Sequence, residues 1–138
     1  MITKPFLTRI KAMYRNVTAI IADDDKDSID VFYEYLQMLN VDVVGIAYHG
    51  MAAVDLYRQT KPDIVFLDLM MPKYDGIFAL ENIRKIQSDA NVVIITGNLS
   101  SDSEQRLENL KPIKVISKPF EVAQIMDVIE NIEKDMPE

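Results

Sequence analysis

Cysteine and tryptophan are absent from the 138 residues, and histidine occurs once. Without cysteine there is no disulfide framework, no thiolate nucleophile and no zinc-finger spacing. Glycine is scarce as well. Gly45, Gly50, Gly76 and Gly97 form neither a P-loop nor a G-x-G-x-x-G turn, which excludes those nucleotide-binding modes. No run reaches the ~18 consecutive apolar residues of a membrane span. Arg9, Lys11 and Arg15 interrupt the place where a secretory signal would carry its apolar stretch. These absences predict a soluble, cytoplasmic protein with no membrane span, for which membrane contact is the lesser expectation. Positive charge is also in deficit. The net charge of −7 argues against a phosphate-backbone binder, so nucleic acid is not an expected partner.

What is present is a core. Hydrophobic residues make up 49% of the chain, enough for one packed domain and too many for a disordered one. The charge is unevenly spread. Residues 1–16 hold Lys4, Arg9, Lys11 and Arg15 and no acid, so the other 122 residues carry −11. Phe6, Ile10, Met13 and Tyr14 fall at helical spacing in that leader, with the basic residues mostly on other faces, and Pro5 suits a first turn. The expectation is a basic amphipathic extension over 1–16. Its candidate partners are an acidic protein, a second copy of the chain, giving a homodimer, or anionic lipid. A packed or frayed terminus is the plainer alternative.

From Val17 onward two textures alternate. Short β-branched runs occur at 17–22, 41–47, 63–68, 91–96 and 113–117, several of them apolar at consecutive positions, as strands buried on both faces require. Between them lie helical spacings: Ile29, Phe32, Tyr33, Leu36 and Leu39; Ala53, Leu56 and Tyr57; Ile77, Leu80, Ile83 and Ile86; and Val122, Ile125, Val128, Ile129 and Ile132. Residues 101–110 are more polar, and their helix rests on the capping-box pattern Ser101 to Glu104. Five strands alternating with five helices predict an α/β fold, a parallel sheet covered on both faces. In such sheets ligands bind beyond the carboxyl ends of the strands.

Those ends carry unusual residues. Asp23, Asp24 and Asp25 follow the first run, Asp68 the third, Thr96 and Gly97 the fourth, and Lys118-Pro119-Phe120 the fifth. Each has an ordinary explanation alone. Asp25, Asp27 or Ser28 would cap a helix, Asp75-Gly76 reads as a turn, and Lys118 as a solvated cation. Crowded aspartates repel one another unless a cation joins them. Hard carboxylate oxygens suit Mg²⁺, and a carboxylate is itself a nucleophile toward phosphorus. Mg²⁺, Lys118 and the Thr96 hydroxyl would neutralise the oxygens of a phosphoryl group in transfer.

The pattern of Asp23-Asp24, Asp68 followed by MMPKYDG, Thr96-Gly97 and Lys118-Pro119-Phe120 resembles the receiver domain of two-component response regulators. The resemblance spans nearly the whole chain and implies a receiver domain over 17–134 with a short tail at 135–138. It implies a flavodoxin-like (βα)5 three-layer sandwich, with strand order 2-1-3-4-5. It makes Asp68 the phosphoacceptor, Asp24 a direct Mg²⁺ ligand and Asp23 a ligand directly or through water. Met70 would offer its backbone carbonyl to the metal, since its thioether is too soft. Thr96 becomes the switch hydroxyl, Lys118 the phosphoryl-contacting cation, and the Lys118–Pro119 bond is expected to be cis. The implied partners are a histidine kinase or phosphotransfer protein as donor and a separate downstream effector, because only DMPE follows Lys134. Turnover of an external substrate is not expected.

Two departures bear on rivals and readout. A dehalogenase-type phosphatase needs a second aspartate two residues past its nucleophile, where this chain has Met70. Receivers usually carry Tyr or Phe three residues before the lysine, where this chain has Val115, so a ring-flip readout is not available at that site. The competing function class is a receiver-like docking module that works without phosphorylation. His49, beside Gly50, reads as a surface-loop histidine.

Overall fold

The structure is a computed structural model and describes residues 17–136. The basic extension predicted for residues 1–16 lies outside the described residues. Five strands, β1 (Thr18–Ala22), β2 (Asp42–Ala47), β3 (Ile64–Leu67), β4 (Val92–Thr96) and β5 (Lys114–Ser117), alternate with five helices. These are α1 (Lys26–Met38), α2 (Gly50–Thr60), α3 (Gly76–Ile86), α4 (Ser101–Leu110) and α5 (Val122–Lys134). All strand pairings are parallel and the order is β2-β1-β3-β4-β5, as the resemblance implies.

Alternation along the central strands builds two cores. Ala19, Ile21, Ile64, Phe66, Val93 and Ile95 face α1 and α5. Ile20, Val65, Leu67, Val92 and Ile94 face α2, α3 and α4. Each such aliphatic side chain contributes about 1.5–3 kcal/mol by leaving water. β1, β3 and β4 are almost wholly buried, which is why they read as unbroken apolar runs. β2 and β5 are sheet edges and remain partly exposed.

Helix ends follow local chemistry. Lys61 and Lys111 adopt left-handed backbone (φ 42° and 50°) just past α2 and α4, and each precedes a proline that cannot continue the helix. Three caps differ from expectation. α4 is capped by Ser100, whose hydroxyl accepts from Ser103 N–H, instead of by a Ser101–Glu104 box. Asp75 does more than turn the chain: its carboxylate accepts from Phe78 N–H at 2.8 Å and caps α3. His49 is exposed, but its Nδ1 accepts from Ala52 N–H and caps α2.

Polar ties also sit away from the carboxyl-end rim. At the amino ends of the strands, Asp63 Oδ2 accepts from Thr18 N–H (2.8 Å) and from its hydroxyl (3.1 Å), Thr18 Oγ1 accepts from Asp63 N–H (3.0 Å), and Asn91 donates to the Asp63 carbonyl (3.0 Å). Arg84 donates to the carbonyls of Ala90, Leu110 and Lys111, joining the end of α3 to the end of α4.

Candidate functional site at the carboxyl ends of the strands

The parallel ladder continues one step past the formal strands and fixes the site residues through their backbones. Asp23 N–H donates to Ala47 O, Asp68 N–H to Ala22 O, and Lys118 N–H to Thr96 O, at 2.9–3.0 Å. The four strand ends that the sequence singles out therefore share one rim. Ligand-type oxygens of Asp23, Asp24 and Asp68 all lie within 4.8 Å of one another. Asp23, Asp68 and Thr96 are buried, and Asp24 opens to solvent.

Lys118 joins the acids. Its Nζ donates to Asp68 Oδ2 at 2.9 Å and to Asp23 Oδ2 at 3.0 Å. The other Asp23 oxygen accepts from Asp25 N–H, and the other Asp68 oxygen from Met70 N–H at 3.1 Å. Burial pushes the Asp23 carboxyl above its ordinary range, outweighing the hydrogen bonds from Asp25 and Lys118. Burial also pulls the Lys118 ammonium down, but hydrogen bonds to Asp68 and Asp23 and their charges carry it above its ordinary value. An acid held reluctantly ionised beside two others is a donor set that a divalent cation would relieve. Its hard oxygens fit Mg²⁺.

The remaining predicted residues are placed unevenly. Thr96 ends β4 on the same rim, and its hydroxyl makes only long contacts of 3.4 Å with the Asn98 backbone. Met70 follows Asp68 with a largely exposed side chain. The Lys118–Pro119 peptide is cis. Val115 lies on β5, partly exposed, and lines a hollow with Leu99, Leu107 and Pro112. Asp25 occupies the N-cap position of α1 and accepts from the Ser28 hydroxyl at 2.6 Å, which lowers its pKa.

Several contributors escaped the sequence reading. A Cβ on Gly76 would stand 2.3 Å from Asp68 O, and one on Gly50 2.5 Å from Asp75 O. Both glycines let backbone approach the loop after Asp68. Phe66, Phe32, Phe120 and Tyr35 form a chain of edge-on rings with centroids 4.8–6.1 Å apart, from β3 to the outer side of α1. The spacing placed Phe32 on a helix, but the ring partners of Phe32 and Tyr35 are 34 and 85 or more residues away.

Residues 19–130 match the family model described as the response regulator receiver domain. The chemotaxis protein CheY of Halobacterium salinarum is 26% identical over 113 residues, covering 82% of this chain and 93% of that protein. A LuxR-family two-component response regulator from Aurantimonas superposes with a TM-score of 0.78 at 26% identity, covering 87% of this chain and 86% of that one. The CheX–CheY–BeF3–Mg complex from Borrelia burgdorferi aligns with a TM-score of 0.77 at 24% identity, over 84% and 88% of the two chains.

Proposed function

The chain belongs to the response regulator receiver family, and from that premise we propose that it takes a phosphoryl group onto Asp68 and signals the event to a separate protein. The observation that carries this reading is the contact of Lys118 Nζ with both Asp68 and Asp23 inside a buried acidic rim. A solvated lysine or a helix-capping aspartate does not explain that convergence.

In this reading an Asp68 oxygen forms the new P–O bond as the donor's P–N or P–O bond breaks, and the leaving group keeps the electron pair. Asp23, Asp24, Asp68 and the Met70 carbonyl would hold Mg²⁺, whose chemical contribution is to neutralise charge on the phosphoryl oxygens. Lys118 would shift from its carboxylate partners to a phosphoryl oxygen, and the Thr96 hydroxyl, held only by long contacts, is free to turn toward another. The leaving side stays open, since Gly97 carries no side chain and a Cβ there would only graze Lys118. The donor is a histidine kinase or phosphotransfer protein, the reaction consumes no other substrate, and the compartment is the cytoplasm. Phosphorylation favours a conformation sampled without it.

Incubation of the full chain with acetyl phosphate and Mg²⁺ tests the proposal by mass spectrometry. Wild type should gain one phosphoryl group, and neither Asp68→Asn nor wild type with excess chelator should. Equal labelling of wild type and Asp68→Asn would remove Asp68 from the role, and labelling of neither would favour the docking module.

A further inference from the structure

A cavity of about 390 Å³ opens beside the acidic rim, between α1 and the β5–α5 loop. Its floor is the sheet face that carries Ile21, Phe66 and Ile95, and Phe32 and Phe120 form its walls. The chemistry of Asp68 needs none of this apolar surface. On α1 it is lined by Asp27, Ser28, Ile29, Val31, Phe32 and Tyr35, with Asp25 at the head of the helix. Val31 is 50% exposed although it borders a hydrophobic hollow. The lining is thus largely apolar, and its charged members are Asp23, Asp25, Asp27 and Asp68 against the single cation Lys118.

We propose that this cleft receives residues 1–16 of the same chain. The segment has the complementary composition: four basic residues, no acid, and Phe6, Ile10, Met13 and Tyr14 at helical spacing. It meets a body of net charge −11 over the other 122 residues. It also joins at a suitable place. Val17 belongs to the same core as α1 and α5, at the amino end of β1. From there to Asp23 is about 20 Å at the rise of a strand. Sixteen residues span about 24 Å if helical and more if extended. A segment of that length is long enough to reach the cleft from Val17. Asp68 and Lys118 also line the cleft, but the docking does not rest on the reading of Asp68 given above.

The chain has no cysteine, so disulfide trapping reads the contact directly. A full chain carrying Ile10→Cys and Val31→Cys should form an intramolecular disulfide under mild oxidation, identified by peptide mass spectrometry. A second chain carrying Ile10→Cys and Asp55→Cys, an exposed position on the opposite face, should not. Adding Arg9→Glu, Lys11→Glu and Arg15→Glu to the first pair should lower its yield at least about fivefold, as the loss of three attractive surface charges implies. Equal trapping at both positions, no trapping at Val31, or disulfides only between two chains would each overturn the proposal. Trapping in a chain that acetyl phosphate and Mg²⁺ fail to label would sink the phosphoryl reading and leave the docking intact.

Discussion

Lys118 is the side chain whose replacement reports most. Lys118→Met would leave Asp23 and Asp68 facing each other with no cation between them. We expect a loss of about 1–3 kcal/mol in urea denaturation, kept moderate because the ammonium is partly exposed. Mg²⁺ should restore much of that loss. The pH dependence has a definite sign. The folded Lys118 holds its proton above the ordinary 10.5, because its bonds to Asp68 and Asp23 overcome the opposing effect of burial. Its stabilisation is therefore complete below about 10.5 and disappears as pH rises through the folded value. Stability curves of wild type and Lys118→Met should converge on that alkaline limb. Curves that stay parallel there would contradict the ion-pair account.

The elements were legible in proportion to how local their causes are. β1, β3 and β4 announce themselves because burial on both faces demands apolar residues at every position. The carboxylates, threonine and lysine could be placed at strand ends from the sequence pattern, and the resemblance supplied the strand order that gathers them onto one rim. The ordinary caps were less visible, since Ser100 and Ser101 are equally good candidates and only the backbone decides between them. Long-range ties were not legible at all. Arg84 reads as an amphipathic surface residue, yet it binds the carbonyls of Leu110 and Lys111, 26 and 27 residues on. Burial lowers its pKa. Arg84→Ala should cost about 2 kcal/mol, with α4 more exposed to hydrogen exchange than α1. Gly76→Ala is the harsher change. Its Cβ would meet backbone atoms of Asp68 and Leu69, which cannot rotate away. Overpacking of about 1–3 kcal/mol is expected, together with weaker Mg²⁺ binding from displacement of the Asp68 loop. Unchanged metal affinity in a folded Gly76→Ala variant would show that the loop tolerates the shift.

For the whole molecule, the excess of negative charge and the local acidic cluster make separable predictions. Any salt screens general repulsion, whereas site binding by Mg²⁺ should add about 2.7 kcal/mol at a hundredfold excess over Kd. Melting in MgCl2 against NaCl of equal ionic strength isolates the second effect, and Asp24→Asn should abolish most of it. If NaCl matched MgCl2, the cluster would be merely a solvated face. The rim and the opposite edge also differ in kind. At the amino ends, Thr18, Asp63 and Asn91 share neutral and charge-assisted bonds with no shift in partners required by the proposed chemistry. That footing behaves like a bench vice holding one end of a set of blades. A displacement of the far ends would then pivot about this tie between the starts of β1, β3 and β4, and its amplitude would grow toward the rim.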